Sequence, residues 1–570
     1  MNPLIQAIEN NNPNQLKLLL DLGHDPNVDV FVDGEVKNPL WVAYEKDDME
    51  CAEILISAGA YPNAILENAV NSFNYEWCYF ILENGADPNG IINDYTDEFH
   101  NPYRQDLSET PLHYLSKKNK KELVELFLRY GADIDREIYK GKTPIFCAVI
   151  SKSFDVVKCL IKNGCSLTIT DKEGKGLLHH SARKDFVQAA ELFISKGMDV
   201  NQRDKKGRTP LFDAVYSHAL EVAMLFFSNK ANPEIKDKKG RTAAFCLAET
   251  NMIDETEMLD LLIKKGVELD LEDSNGRSLL GALVESGKST LVEYLLQKKL
   301  RVRSEERIKN LPLITYSINK TPSLRMNLTL VKHNVQINEL DSNGNTPLMV
   351  AIERKIEKIA IALIRVGVNI NHFNKKGLNA LQLAVQHNVV SVFKELYSHP
   401  EIDYHLSAAE VKKTTKAAVE QLSHEALEIL RSKHPEVTLE AICIDKSLCY
   451  FLSKKITGMA NFLIKVGIDV NIVDDNNASP MLYAAHNNLH ETSKLLIENG
   501  ADVNYCNDIN ITPLIEAAKN NATEVAFLLL ENGADIHIVD WEGFTALDHA
   551  KQRENKKLIV EIEKYLNNKK

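Results

Sequence analysis

The amino-acid sequence predicts an all-α solenoid of about seventeen helix–turn–helix units with projecting finger loops. Three observations carry that prediction. Residues recur at a step of 33 along most of the 570 positions. Each step holds two short apolar stripes at helical spacing. A glycine recurs 21 positions after the start of most steps. Internal periodicity of this length marks a repeat array rather than a set of unrelated domains.

Asn2, Asn38 and Ala64 open three less regular units, and Thr110, Thr143, Gly176, Thr209 and Thr242 then follow at intervals of 33. Ser278, Leu311, Thr346, Asn379, Lys412 and Lys446 continue at 33 to 36, and Ser479, Thr512 and Thr545 return to 33. In the Thr512 unit, Leu514, Ala517 and Ala518 form one apolar stripe, and Val525, Leu528 and Leu529 form a second. The polar break from Lys519 to Thr523 separates two helices. Gly533, like Gly131, Gly164, Gly197, Gly367, Gly467 and Gly500, is placed to end the second helix in a left-handed turn. Proline at the second position, as in Thr209-Pro210-Leu211, costs no hydrogen bond in a first helical turn. Two such helices cannot enclose a core alone, so each pair stacks on the next.

These residues resemble the ankyrin-repeat family over essentially the whole chain. The resemblance rests on the 33-residue step, Thr-Pro-Leu-His at 110–113, Gly-Arg-Thr-Pro-Leu at 207–211, and Asn-Gly-Ala-Asp at 499–502 and 532–535. It implies stacked antiparallel helix pairs, fingers at right angles to them, and a concave face lined by the first helices. It also implies a protein-binding scaffold without chemistry of its own.

Composition narrows the function further. With 67 basic and 80 acidic residues the net charge is −13, which argues against nonspecific nucleic-acid or acidic-lipid partners. No apolar run reaches the ~18 residues of a membrane helix, and the N-terminus lacks a secretory pattern. The nine cysteines are scattered without a C-x-x-C pair. They read as reduced thiols of a cytoplasmic protein, which makes the sequons at Asn327, Asn477, Asn510 and Asn521 chance matches.

Motifs of catalysis are weak. Ser286-Gly287-Lys288-Ser289-Thr290 resembles the end of a phosphate loop, but Gly281 to Gly287 leaves five residues where the motif needs four, and no strand precedes it. His179-His180 has no ligand at metal spacing, and the family assigns His179 a structural hydrogen bond. No enzyme activity, cofactor or metal is expected.

Three irregularities point to binding. The insertion 90–108 lengthens one finger and carries Tyr95, Phe99, His100, Tyr103 and Arg104. The five fingers between Lys140 and Arg277 carry +6, whereas Asp474, Asp475, Asp508, Asp540 and Glu542 give the last fingers −5, beside Trp541 and Phe544. The first helices of units four to eight carry Tyr114, Phe146, His180, Phe212 and Phe245.

The reading is therefore a scaffold that binds another protein in a concave groove over 110–277. Tyr114, Phe146, His180, Phe212 and Phe245 are its expected anchors, and Lys205, Lys206, Arg208, Lys238, Lys239 and Arg241 its basic rim. The partner is expected to offer an apolar anchor with acidic flanks. Replacing Phe212 and Phe245 should weaken binding without unfolding. The alternative is an effector that an intracellular bacterium exports into host cytoplasm, with 556–570 as export signal. Lys299, Lys433 and His399-Pro400 replace the helix-ending glycine, and Pro322 sits in the Leu311 unit. These departures divide the chain into repeats one to nine over 1–300 with the finger insertion 90–108, irregular repeats ten to thirteen over 301–446 as the expected hinge, and repeats fourteen to seventeen over 447–570 with a C-terminal cap.

Overall fold

The computed structural model describes residues 2–32, 35–93, 108–250, 256–298, 306–320, 323–400, 408–443 and 447–568. Most of the 90–108 insertion, Lys299, Pro322 and Lys446 lie outside the described residues. The described chain forms helix pairs in two compact units, 1–306 and 307–570. The first holds nine pairs and the second eight, giving the seventeen repeats the period predicts. Short antiparallel ribbons join some of them, as at Ile92–Asn93 with Ser108–Glu109 and Arg307–Ile308 with Leu311–Pro312.

Each pair follows from its local sequence. Pro210–Tyr216 starts on a proline, ends in an interhelical turn with His218 left-handed, and is followed by Leu220–Ser228. First helices pack on neighbouring first helices, as Leu177–Arg183 does on Pro210–Tyr216, and second helices do likewise. The seam between them is apolar. Phe127, Phe193 and Phe226 are fully buried there, each contributing roughly 1.5–3 kcal/mol of transfer free energy.

The conserved geometry at the repeat start has two chemistries. In the second unit Thr346, Ser479 and Thr512 cap their helices, the side-chain oxygen accepting from the backbone N–H three residues on. In the first, Ser278 caps in the same way through the Gly281 N–H, whereas Thr110 pairs with His113, and Gly176, which has no side chain to cap with, donates its N–H to His179 Nδ1. The far ring nitrogens of His113 and His179 lie 3.3 and 3.1 Å from the carbonyls of Lys142 and Arg208 in the next repeats. The family's structural hydrogen bond at His179 is thus present.

The irregular span differs from the sequence reading in two places. Lys412 does not open a helix; it lies inside Ala408–Glu420, because no proline or capping residue marks a start there. An unanticipated helix, Pro435–Cys443, replaces the finger. Lys433 is not left-handed; the chain leaves its helix at His434 and re-enters helix at a proline suited to the first turn. His399 is likewise extended, as a residue before proline prefers. By contrast Lys230 and Asn334 do take the left-handed glycine position, with φ of 66° and 54°.

Candidate functional site

The fingers of the first unit are built on one turn. Asp237 Oδ1 accepts from the N–H groups of Lys239 and Arg241 at 2.8 and 3.0 Å, and Asp171, Asp204 and Asp273 repeat the pattern. Adjacent fingers are then joined by backbone hydrogen bonds, Lys172 to Lys140, Lys205 to Glu173, Lys238 to Lys206 and Ser274 to Lys239. This approach explains Gly240. Its φ is +74°, and a Cβ there would stand 2.7 Å from the Ser274 nitrogen. The rungs hold Lys140, Lys172, Lys205, Lys206, Lys238 and Lys239 in an exposed row.

Beneath the tips runs a ladder of ion pairs. Lys175 Nζ meets Asp213 Oδ1 at 2.6 Å. Arg208 reaches Asp237 at 3.4 Å and Glu249 at 3.3 Å, while Arg241 binds Asp237 at 2.8 Å and also Glu249. Arg277 repeats the arrangement with Asp273 and Glu285. Burial pushes the Asp237 carboxyl up, but the Arg241 guanidinium and the backbone donors outweigh it and hold the group below the usual carboxylate range. A hollow of about 260 Å³ lies at this ladder, lined by Arg241, Phe245, Glu249, Arg277 and Glu285 among others.

The expected rim therefore divides. Lys205, Lys206, Lys238 and Lys239 are exposed at the tips, whereas Arg208 and Arg241 are committed to neighbouring carboxylates. The expected anchors need a larger correction. Phe146, Phe212, Phe245 and Tyr114 are 0%, 2%, 4% and 5% exposed, because these positions face the seam between adjacent first helices. Tyr114 stacks on Phe73, and Phe146 packs edge-on against His180, whose Nε2 is pinned 2.9 Å from Asp171. Truncating Phe212 and Phe245 together would open cavities costing roughly 3–5 kcal/mol each, so that pair reports on folding. Sequence reasoning placed Asp213 beside Phe212 on the concave face but gave it no ion-pair role, and it missed Glu249 and Glu285. Their signal was available: each sits four or seven residues into a first helix, on the face that meets the base before a repeat start.

Among the described residues no group of three or more His, Cys, Asp or Glu is placed to hold a metal ion. The phosphate-loop resemblance forms an interhelical turn, with Gly287 left-handed and Lys288 Nζ donating to the Thr250 carbonyl at 2.6 Å. No disulfide joins the eight cysteines whose side chains are described, and burial pushes the thiols of Cys147 and Cys246 up to about 12. No described helix is long and apolar enough to cross a membrane.

Stacked helix pairs joined by hydrogen-bonded fingers define a repeat protein of the interaction-scaffold class. The chain belongs to the ankyrin-repeat family, whose three-copy model matches residues 66–171, 152–237, 220–306, 317–408 and 448–540. It is 24% identical over 262 residues, 44% of its length, to the phosphocholine transferase AnkX of Legionella pneumophila. It is 28% identical over 151 residues, 25% of its length, to a putative ankyrin repeat protein of fowlpox virus. These matches span 24% and 32% of the two relatives, so the chain covers a third or less of either. A 78-residue stretch, 14% of the chain and 7% of the relative, is 31% identical to the human transient receptor potential channel A1.

Proposed function

We propose that the chain is a non-enzymatic cytoplasmic scaffold that binds a partner protein along the fingertips and first-helix face of 110–277. The lysine row carries this reading. On a chain of net charge −13, four successive fingers concentrate lysine at tips held in register by backbone bonds. The partner offers acidic side chains to that row, which sets orientation and speeds association. Its apolar group meets Tyr216, which is partly exposed with the Arg183 guanidinium 5.7 Å from its ring, or the hollow floored by Phe245. Phe146, Phe212 and His180 shape this face from beneath. Reversing Lys205, Lys206, Lys238 and Lys239 to Glu tests the reading with the intact chain as bait in extracts of its native cell. The partner identified by mass spectrometry should lose at least about tenfold in affinity, the scale of a hot-spot cluster. Equal retention by both baits overturns it.

A second reading, an effector acting in host cytoplasm, is supported by the similarity to the Legionella protein. Residues 556–570 include the helix Lys556–Asn568, which buries Leu558 and Ile562 against its neighbours, so deletion would damage the last repeat. Substituting its exposed Lys556, Lys557 and Val560 and scoring transfer into host cells is the cleaner test. Unchanged transfer removes that helix face as the signal.

A further inference from the structure

We infer that the last three fingers form a second docking site, which takes a lysine- or arginine-bearing segment of another protein with apolar side chains beside the cation. At the tips 474–477, 507–510 and 540–543 no residue is basic, and Asp475, Asp508 and Glu542 are exposed. Among these carboxylates stand Trp541, 66% exposed, with Ile509, Val539 and Phe544, all partly open to solvent. The local chemistry is therefore anionic and apolar together.

The patch is preorganised. Trp541 N donates to the Ile509 carbonyl at 3.2 Å, and Asn510 Nδ2 donates to that of Val539 at 3.0 Å. Asn477 Nδ2 reaches Asp508 Oδ1 at 2.5 Å, and the Tyr505 hydroxyl is bonded to Asn477. Asp540 pins the last turn, accepting from Glu542 and Phe544 N–H while its second oxygen meets His549 at 2.7 Å. These bonds fix the backbone that carries Trp541 and Ile509 and the carboxylate of Asp508, so less freedom is lost there when a ligand covers the tips.

The rest of the molecule shows what such a ring accepts. Lys37 lies 3.9 Å from the centre of the Trp41 ring, Lys120 4.2 Å from Phe73 and Lys158 4.8 Å from Phe154. Trp541 has no such cation among the described residues, although the carboxylates beside it favour one. A cation over the indole, bridged to Asp508 or Glu542, combines cation–π attraction with ion pairing. Ile509 and Phe544 then receive the neighbouring apolar side chains. Charge complementarity selects a basic segment over an acidic one, so this site and the lysine row favour opposite partners.

The test titrates the intact chain with a short peptide alternating lysine and leucine, following indole fluorescence and calorimetric heat. Controls alternate lysine with serine, or glutamate with leucine. Binding of the first peptide well above both controls is expected, with at least about tenfold loss in Trp541→Ala and in Asp508→Lys with Glu542→Lys. Lys205→Glu with Lys238→Glu should leave it unchanged, which separates this site from the lysine row. No binding, or binding insensitive to the Trp541 and acidic variants, overturns the inference. Self-association that Trp541→Ala abolishes, seen by sedimentation velocity without peptide, also overturns it by making a second copy the occupant.

Discussion

The finger of residues 237–241 and the finger of residues 540–544 share a turn and little else. In both, an aspartate accepts from backbone N–H groups two and four residues on, and a glycine is left-handed, with φ of 74° and 82°. In both, the residue after the aspartate donates its N–H to the previous finger. The aspartate's second oxygen then diverges. Asp237 Oδ2 holds two guanidiniums, whereas Asp540 Oδ2 holds one imidazole. The tips diverge further, Lys238-Lys239 against Trp541-Glu542. The turn is the part the repeat must keep, and the tip is where binding chemistry can change without cost to the fold.

Removing the aspartate should break the two fingers unequally. Asp237→Ala takes one of two carboxylates from both Arg241 and Arg208, which keep Glu249, and removes the acceptor of the turn, so about 2–3 kcal/mol is expected for the lost charged hydrogen bonds. Asp540→Ala removes the acceptor shared by two backbone N–H groups and the His549 ring, so about 1–2 kcal/mol is expected for the lost hydrogen bonds. Native-state hydrogen exchange of 210–228 and 546–552 reads each loss locally. Equal losses would break the comparison.

Glycine gives the next largest contrast. Gly240→Ala must hold a left-handed alanine against the Ser274 backbone nitrogen, while the same change at Gly543 meets nothing within 4 Å. Left-handed alanine costs about 1 kcal/mol, so Gly543→Ala should lose that much and Gly240→Ala at least about twice as much. Thermal melts of the two variants would settle it.

Acid should separate the regions next. Burial lowers the His113 imidazole to about 4 and His179 in the same direction. The folded state therefore resists a proton that the unfolded chain accepts below about 6.5, and stability falls as pH drops from there toward 4. Repeats around His113 should lose about 1 kcal/mol between pH 7 and 5.5. The fingers at Asp474 and Asp540 should hold, because both carboxyls titrate below the usual range: burial raises them, but their hydrogen bonds win. Urea midpoints of His113→Gln against wild type across this range check the sign.

A third region departs from this plan among its described residues. Between His399 and Ser447 the glycine is replaced, and the helix Pro435–Cys443 stands where a finger would. Stability in a repeat array is a sum of unit and neighbour terms, so second helices here should open about 1 kcal/mol more easily than those of the Thr143, Thr209 and Thr512 repeats. Uniform exchange protection from 299 to 446 and beyond would rule out a hinge there.

Much of this was legible in the sequence, for reasons particular residues make clear. The step of 33, the glycines and the Thr-Pro starts are local, so they show in any window of one repeat. The burial of Phe146 and Phe212 was not legible, because a residue three positions into a helix is apolar whether it faces a neighbour or a groove. The ladder through Arg208 and Glu249 joins residues 41 apart, a pairing that only the stack creates. Pro435–Cys443 escaped because its sequence carries no repeat signature to place it. Trp541 was visible as an aromatic beside acids, but its exposure depends on the rung to Ile509.

The smallest expected effect is the sharpest test of the division between turn and tip. Lys206, Lys238 and Lys239 are exposed, and the turn around them is held by Asp204, Asp237 and main-chain donors rather than by their ammonium groups. Lys205 differs only in donating to the Lys172 carbonyl at 2.8 Å, an exposed bond that water replaces readily. Changing all four to alanine should therefore alter stability by no more than about 0.5 kcal/mol, the range of ordinary surface substitutions. The slight direction is toward lower stability, since removing four positive charges from a chain of net charge −13 increases its self-repulsion. Melting at low and high salt separates that contribution, which screening should abolish. A loss beyond about 1 kcal/mol that persists in high salt would mean that the tips carry part of the fold, and that recognition cannot vary there independently of it.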